Sequence, residues 1–422
     1  MKHAPAGPPV HADVLVVGGG ASGMMAAIAA RMWGASVVLL EKNPRVGKKL
    51  LTTGNHQCNL SNLHLSADRF HGDPMLAMAV IGKFNLNATL ALFWRLGLES
   101  TRDGEGRVFP RSFQAAAVLD VLRFEAEESQ VRTACGAEVV RLDRRGEAFQ
   151  VETKDGGRFS AGRVILCTGG KAAPQTGSDG RGLELARALG HAVVEPSPAL
   201  VQLKLDGAFH KAMEGMRWEA EVRLLVDGRE DTVVRDEVLF ASYGISGPAA
   251  LALSRHAVEA WAAGRRVELS LNLLPEQPPT ETLHFIQYRA RNKPDRTLEH
   301  FLTGWVNKRI GQTLLKSLGL DWSRPWSSLT EAEQSLLAAA LHGWTFTVAG
   351  HTGWPNAQTT AGGVDTEEVH PETLESRLVP GLHFAGELLN VDGDSGGFNL
   401  QWAWSSGWVA GSAAAGQAAE TI

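Results

Sequence analysis

Runs of apolar residues broken by glycine organise the start of the chain. "DVLVV" at 13–17 stops at glycine, "SVVLL" at 36–40 stops at Glu41, and "GRVILCTGG" at 162–170 runs into Gly169-Gly170. Unbroken β-branched and leucine runs of this length suit parallel strands covered on both faces. Between the first two, "MMAAIAARMWG" consists of good helix formers and ends at Gly34, which predicts a helix. Strand, glycine turn, helix and strand make a βαβ unit. Further along, "EAEVRLLV" (219–226) and "RRVELSLNLL" (265–274) alternate apolar and polar positions around the turn "VDGRED". That period of two predicts a small barrel-like sheet over 199–273. "TLEHFLTGWVNKRIGQTLLKSLG" (297–319) and "TEAEQSLLAAALHG" (330–343) read as helices, the second with Thr330 as cap and Glu333 three residues on. "PEQPP" at 275–279 punctuates the change, and "WTFTVAGHTGW" (344–354) reads as a strand returning to the barrel.

The chain has 422 residues, too many for one ordinary core, so more than one domain is expected. Residues 1–11 read as a disordered tail with no apolar core, hence not a signal peptide. No run approaches the roughly 18 apolar residues of a membrane span, so no membrane partner is expected. Cysteines at 58, 135 and 167 cannot all pair, which argues against a disulfide framework and for a reducing cytoplasm. A net charge of −5 gives no global attraction to nucleic acid, although it leaves room for a local basic face.

The first βαβ unit carries Gly18, Gly20 and Gly23 in G-x-G-x-x-G spacing, with Ala21 and Ser22 at the helix start. The first glycine permits a tight turn, the second lets backbone approach a pyrophosphate, and the third lets helix and strand pack closely. The helix start presents N–H groups and a positive dipole end to phosphate. Glu41, at the end of the second strand, is placed to accept hydrogen bonds from an adenosine ribose, where a 2′-phosphate would be repelled. This arrangement predicts dinucleotide binding without choosing between NAD and FAD.

The C-terminal segment "LHFAGELLNVDGDSGGFNLQWAWSSGWVAGSAAA" favours FAD. It predicts a strand (383–385), then Gly386-Glu387, then a loop ending in Gly396-Gly397 and a helix from about Asn399. An acid and a second glycine-rich helix start suit the ribityl, pyrophosphate and flavin groups, so Gly386, Glu387, Gly396, Gly397, Phe398, Asn399 and Leu400 form a second candidate cofactor cluster. Thr168, Gly169 and Gly170 mark the turn leaving the third strand. The spacing of Trp404 and Trp408 puts both on one helix face, which predicts core packing. His and Cys are scattered without metal-ligand spacing, so no metal is expected, and no second G-x-G-x-x-G marks a separate NAD(P)H domain.

These segments resemble one flavoprotein family, the BaiN-like or YhiN-type group, also described as aminoacetone-oxidase-type FAD-binding enzymes. The resemblance runs from about residue 12 to 415, through "GGGASG" (18–23), "GKKLLTTGNHQCNLSN" (47–62), "RVFPRS" (107–112), "CTGGKAAPQTGSDGRGLELARALGH" (167–191), "PSPALVQL" (196–203), "YGISGPAAL" (243–251), "TTAGGV" (359–364) and "HPETLESRLVPGLHFAGELLNVDGDSGGFNLQWAWSSG" (370–407). It implies an α/β fold: a Rossmann-like FAD-binding domain of the two-dinucleotide-binding-domain flavoprotein type (12–198 and 355–422). An inserted β-barrel-like domain (199–273 with 344–354) and a helical cap (274–343) split it, the cap acting as a lid. In the family the loop at 47–62 borders the flavin. Its polar density then follows from Thr53, Asn55, Asn59 and Asn62 satisfying cofactor groups, with Lys42, Lys49 and Gly54 completing the candidate set. This sequence has His56 and Gln57 where the family usually has Gly-Arg, which removes a fixed positive charge. It also has Ala241-Ser242 where the family tends to have Thr-His.

The resemblance implies an FAD-dependent oxidoreductase, with NAD(P)H as a transient reductant and hydride delivered from flavin N5 to a carbon–carbon double bond. A small unsaturated substrate is one expectation and uridine C5–C6 in rRNA the other; a non-catalytic FAD-binding regulator is the third. Cys58 is the candidate proton donor, weighed against packing as a small buried residue. Arg107, Arg111, Lys171 and Arg309 are candidate substrate contacts, weighed against solvated ion pairs. The cations Arg289, Arg291, Lys293 and Arg296, with aromatics nearby, keep an RNA-facing surface open.

Overall fold

The computed structural model describes residues 9–417. The chain divides into two compact units, one running up to Pro198 and resuming at Gln358, the other Ala199–Ala357.

The first unit is built on a seven-stranded sheet. Strands Arg132–Cys135, Val37–Glu41, Val10–Val17 and Arg158–Leu166 lie side by side in parallel, and Leu382–Phe384 joins the far half of the last. The near half of Arg158–Leu166 pairs antiparallel with Ala148–Thr153, which pairs with Val139–Arg145. Thus the C-terminal strand does rejoin the first sheet. One boundary differs from expectation. The first strand begins at Val10, inside the segment read as a tail, because Val10 and His11 pair with Phe159 and Ser160. Residues 1–8 of that tail lie outside the described residues.

Helix Ala21–Met32 is small-residue-rich and buried along most of its length. It packs on the sheet through Gly23, where an added Cβ would collide with the carbonyl oxygen of Gly18. Its other side faces the terminal helix Phe398–Ala414. There Gly407 and Gly411 admit the backbone oxygens of Ser22 and Ala26, with which an added Cβ would collide. Trp404 and Trp408, with Trp402, are at most 1% exposed. Phe84 stacks on Trp408 at 4.6 Å and Phe93 meets Trp404 edge-on at 5.3 Å. Truncating any such Trp to Ala costs about 3–5 kcal/mol.

The second unit holds a closed six-stranded barrel in the order Leu203–Leu205, Gly244–Ser246, Arg229–Ala241, Arg217–Val226, Val267–Asn272, Trp344–His351. Two of its strands alternate in burial: Val267, Leu269 and Leu271 are buried, as are Trp344, Phe346 and Val348. The same unit contains helices Pro279–Asn292, Lys308–Ser317 and Glu331–His342. Thr330 and Glu333 make the expected capping box. The helix expected over 297–319 is shorter, Lys308–Ser317. Gly304 has φ +83° and Asn307 caps the helix by accepting from Arg309 and Ile310 N–H. Among the described residues no single helix is long and apolar enough to cross a membrane. The bent pair Pro74–Lys83 and Leu86–Arg95 passes by length and composition only, and its inner face is buried in the first unit.

Two outcomes are expected from this packing. Ala in place of a helix-interior Gly ordinarily stabilises by about 1 kcal/mol. At Gly411 the collision reverses the sign, and Gly411→Ala is expected to lose about 1–3 kcal/mol in denaturant titration. His191, His210, His342, His351 and His383 are all held below the ordinary histidine value, first by burial. The unfolded chain therefore binds more protons than the folded one. Stability is expected to fall as pH drops below the unfolded value of about 6.5, read as a lower Tm at pH 5.5 than at 7.5.

Candidate functional site: a dinucleotide cradle

At the sheet's carboxyl edge the first glycine turn meets Glu41. Gly18 sits at φ +106°, and a Cβ there would press on the backbone of Cys167 and Thr168. Glu41 is buried; its Oε2 accepts from Gly19 N at 2.8 Å and its Oε1 from Asn43 N at 2.7 Å and Asn43 Nδ2 at 2.8 Å. All of these partners are neutral donors. Gly20, the cap of the helix, has open space where its Cβ would be, and no side chain caps the Ala21–Met32 N-terminus. An open face over uncapped N–H groups fits an anionic pyrophosphate.

The loop 48–62 is held by the terminal helix. Leu60 O accepts from Trp404 Nε1 at 3.0 Å, Ser61 Oγ donates to Gln401 Oε1 at 2.6 Å, and Asn62 Nδ2 donates to Gly396 O at 2.9 Å. Gly54, Asn55, His56 and Cys58 all adopt positive φ, so the tip is a tight, left-handed turn. Asn59 Oδ1 is buried and has no hydrogen-bond partner among the described residues. It lies next to the uncapped start of helix Phe398–Ala414, 2.7 Å from where a Cβ at Gly397 would stand. A buried unsatisfied amide oxygen beside a second free helix N-terminus is the arrangement a bound polar ligand completes.

Glu387 anchors the opposite side. Its Oε2 pairs with Lys49 Nζ at 2.5 Å, and its Oε1 accepts from Thr360 N at 3.0 Å and Thr360 Oγ1 at 2.7 Å. Thr360 Oγ1 accepts in turn from the N–H groups of Lys171 and Ala172, at 2.8 and 2.9 Å. Gly170 is required here, since a Cβ would collide with Thr360 Oγ1.

The remaining expected residues fall into three groups. Gly18, Gly20, Ala21, Ser22, Gly23, Glu41, Lys49, Asn59, Gly169, Gly170, Gly386, Glu387, Gly396, Gly397, Phe398 and Leu400 belong to the turns and helix starts of the first unit just described or directly flank them. Others have local structural work. Lys42 pairs with Asp179 at 2.8 Å, Thr53 Oγ1 donates to Leu50 O, and Asn399 bonds both backbone groups of Gly393. Thr168 Oγ1 packs on Gly182, while Gly54 and Asn55 are exposed at the loop tip. His56, the departure from the family loop, donates from Nδ1 to Leu51 O at 2.8 Å.

The candidate proton donor is Cys58, and the candidate substrate cations include Arg107, Arg111 and Arg309. Cys58 has no exposed surface; burial pushes its thiol up to about 12, opposed by a hydrogen bond with the Thr53 side chain. Its surroundings are those of a packed small residue. Arg107 pairs with Asp103 at 2.7 Å and Glu105 at 3.0 Å, and Arg111 pairs with Glu99 at 3.3 Å. These are partly exposed ion pairs worth about 0–1 kcal/mol, not free substrate cations. Arg309 lies in the second unit, exposed, donating to Glu214 O at 3.3 Å. Thr360 and Asn43 were not singled out from the sequence; the only signal for Thr360 was the "TTAGGV" motif itself.

Fold and cradle together define an FAD-binding oxidoreductase of the Rossmann type. The chain belongs to the HI0933-like family, whose Rossmann-domain model matches residues 12–413. It is 41% identical over 406 residues to the 3-dehydro-bile acid delta(4,6)-reductase of Clostridium scindens, covering 95% of this chain and 98% of that protein. It is 29% identical over 398 residues to the ribosomal RNA dihydrouridine synthase of Escherichia coli, covering 94% and 96%. Among solved structures, a 3-ketosteroid-delta4-(5alpha)-dehydrogenase from Rhodococcus jostii shares the fold at TM-score 0.50 and 15% identity, covering 98% of this chain and 99% of that one.

Cys58 and Cys167 are buried and Cys135 is exposed. A thiol reagent near neutral pH is expected to modify Cys135 alone in the folded protein, and Cys135→Ser to abolish the signal. A second fast-reacting thiol would return Cys58 to consideration as an acid.

Proposed function

We propose that this protein is an FAD-dependent reductase of a conjugated carbon–carbon double bond in a small unsaturated compound, with NAD(P)H as the transient reductant. The observation that carries this reading is the 41% identity, over nearly the whole of both chains, to a reductase of a bile-acid delta(4,6) system. Bound FAD, once reduced by NAD(P)H, would supply hydride to the electrophilic carbon, with the balancing proton taken from solvent. The chain's own residues bind and orient. Glu41 has one acceptor site left, on Oε2, for a ribose hydroxyl, the free N–H groups at Ala21 and Phe398 suit anionic and carbonyl oxygens, and Asn59 Oδ1 can accept from a cofactor N–H or O–H.

A second reading, reduction of uridine C5–C6 in rRNA, rests on the two relatives of 29% and 26% identity that carry the rRNA dihydrouridine synthase name. Arg291, Lys293 and Arg296 are exposed on the helical part of the second unit and suit phosphate contacts.

Anaerobic mixing of the yellow protein with NADH or NADPH, followed at the flavin's visible band, tests both. Bleaching is expected, followed by reoxidation with a steroid-type enone and not with a uridine-containing rRNA fragment. Reoxidation by RNA alone selects the second reading. A protein that binds FAD and never bleaches with either nucleotide overturns NAD(P)H as donor.

A further inference from the structure

We propose that Thr360 is a positioning residue of the cofactor cradle, acting through Glu387 on Lys49. The proposal rests on the reading that FAD occupies the cradle.

Thr360 is fully buried and its hydroxyl is saturated. It gives its one proton to Glu387 Oε1 and takes two backbone N–H groups, from Lys171 and Ala172. Its own N–H also reaches Glu387 Oε1. Glu387 Oε1 is thereby committed to Thr360, and Oε2 is the oxygen left to Lys49. One hydroxyl thus ties four segments distant in sequence: the polar loop at Lys49, the turn after strand Arg158–Leu166, strand Thr359–Val364, and the Gly386-Glu387 turn. Gly170 leaves the space in which this happens, since its Cβ would also lie 3.0 Å from Glu387 Oε1. Lys49 is the only residue of the loop 48–62 with an ion pair among the described residues, so the loop's charge is placed by Glu387 and Glu387 is placed by Thr360.

Removing the hydroxyl leaves Glu387 Oε1 only the Thr360 backbone N–H, which loosens the carboxylate, and two backbone N–H groups lose their acceptor at the same time. Thr360→Val has nearly the same volume and removes only this chemistry. It is expected to weaken FAD binding by about tenfold and to shift the flavin's visible spectrum and midpoint potential, while Thr360→Ser restores all three. The deciding measurement is a double-mutant cycle on the FAD dissociation constant with Lys49→Met. If Thr360 acts through Glu387 on Lys49, the double variant binds FAD no worse than Lys49→Met alone. Additive losses, or a Thr360→Ser that behaves like Thr360→Val, overturn the proposal and leave Thr360 a packing residue. Should Thr360→Val not accumulate as folded apoprotein, Thr360→Cys, which keeps the volume with a weak donor, carries the same comparison. A wild-type protein that binds no FAD would instead overturn the reading beneath it, a result distinct from wild-type binding with an indifferent Thr360.

Discussion

Close backbone approach on both sides of one helix is the constraint on which the first unit depends. Helix Ala21–Met32 touches the backbone of the Gly18 turn through Gly23 and meets the terminal helix through Gly407 and Gly411. Each contact is possible only because a side chain is absent, and each fixes the helix at a different point along its length. A helix clamped in this way cannot slide or rotate. Its N-terminus therefore points where the sheet edge and the Gly18 turn put it, and the partial positive charge of that terminus becomes a stationary feature of the cradle. The long Trp-bearing helix that completes the clamp also begins at Gly397 in the cradle, so the packing that stabilises the unit also positions the second free helix start.

The polar loop 48–62 uses the same scaffold differently. Three non-glycine residues in it hold positive φ, a conformation costing of order 1 kcal/mol or more each outside glycine, with Asn the most tolerant. Such a turn persists only when its surroundings over-determine it. Here the surroundings are two side chains of the terminal helix and a backbone carbonyl of its preceding turn, which bond Leu60, Ser61 and Asn62 in succession. The loop has no hydrophobic period because its conformation is set by these distant hydrogen bonds and not by a repeating face.

That difference explains what the sequence disclosed. The βαβ unit, the returning C-terminal strand and the barrel were legible because each is encoded by a local period and by glycines with a local steric purpose. The start of helix Lys308–Ser317 was misread although its signals were present: Gly304 breaks the pattern and Asn307 is a strong cap. The ion pairs of Arg107 were also visible in principle, with Asp103 and Glu105 within four residues. The knot at Thr360 was not visible, because it joins residues as far as 189 positions apart.

The two acids of the cradle end in opposite electrostatic states, and this bears on which end of a dinucleotide each can serve. Glu41 is surrounded by N–H donors, and among the described residues no cation pairs with it. Its one open acceptor site, on Oε2, favours a hydroxyl donor over a phosphate oxygen, which has no proton to give. Glu387 is neutralised by Lys49 and its other oxygen is committed to Thr360. It contributes little net field, which suits a region where a ligand gains negative charge on reduction, since an unpaired carboxylate there would oppose that step. The asymmetry follows from side chains alone: one acid sits at a strand end with only backbone and amide donors in reach, the other in a knot that includes a lysine. A cofactor with a hydroxyl-rich nucleoside at one end and a reducible ring system at the other matches that gradient in a single orientation.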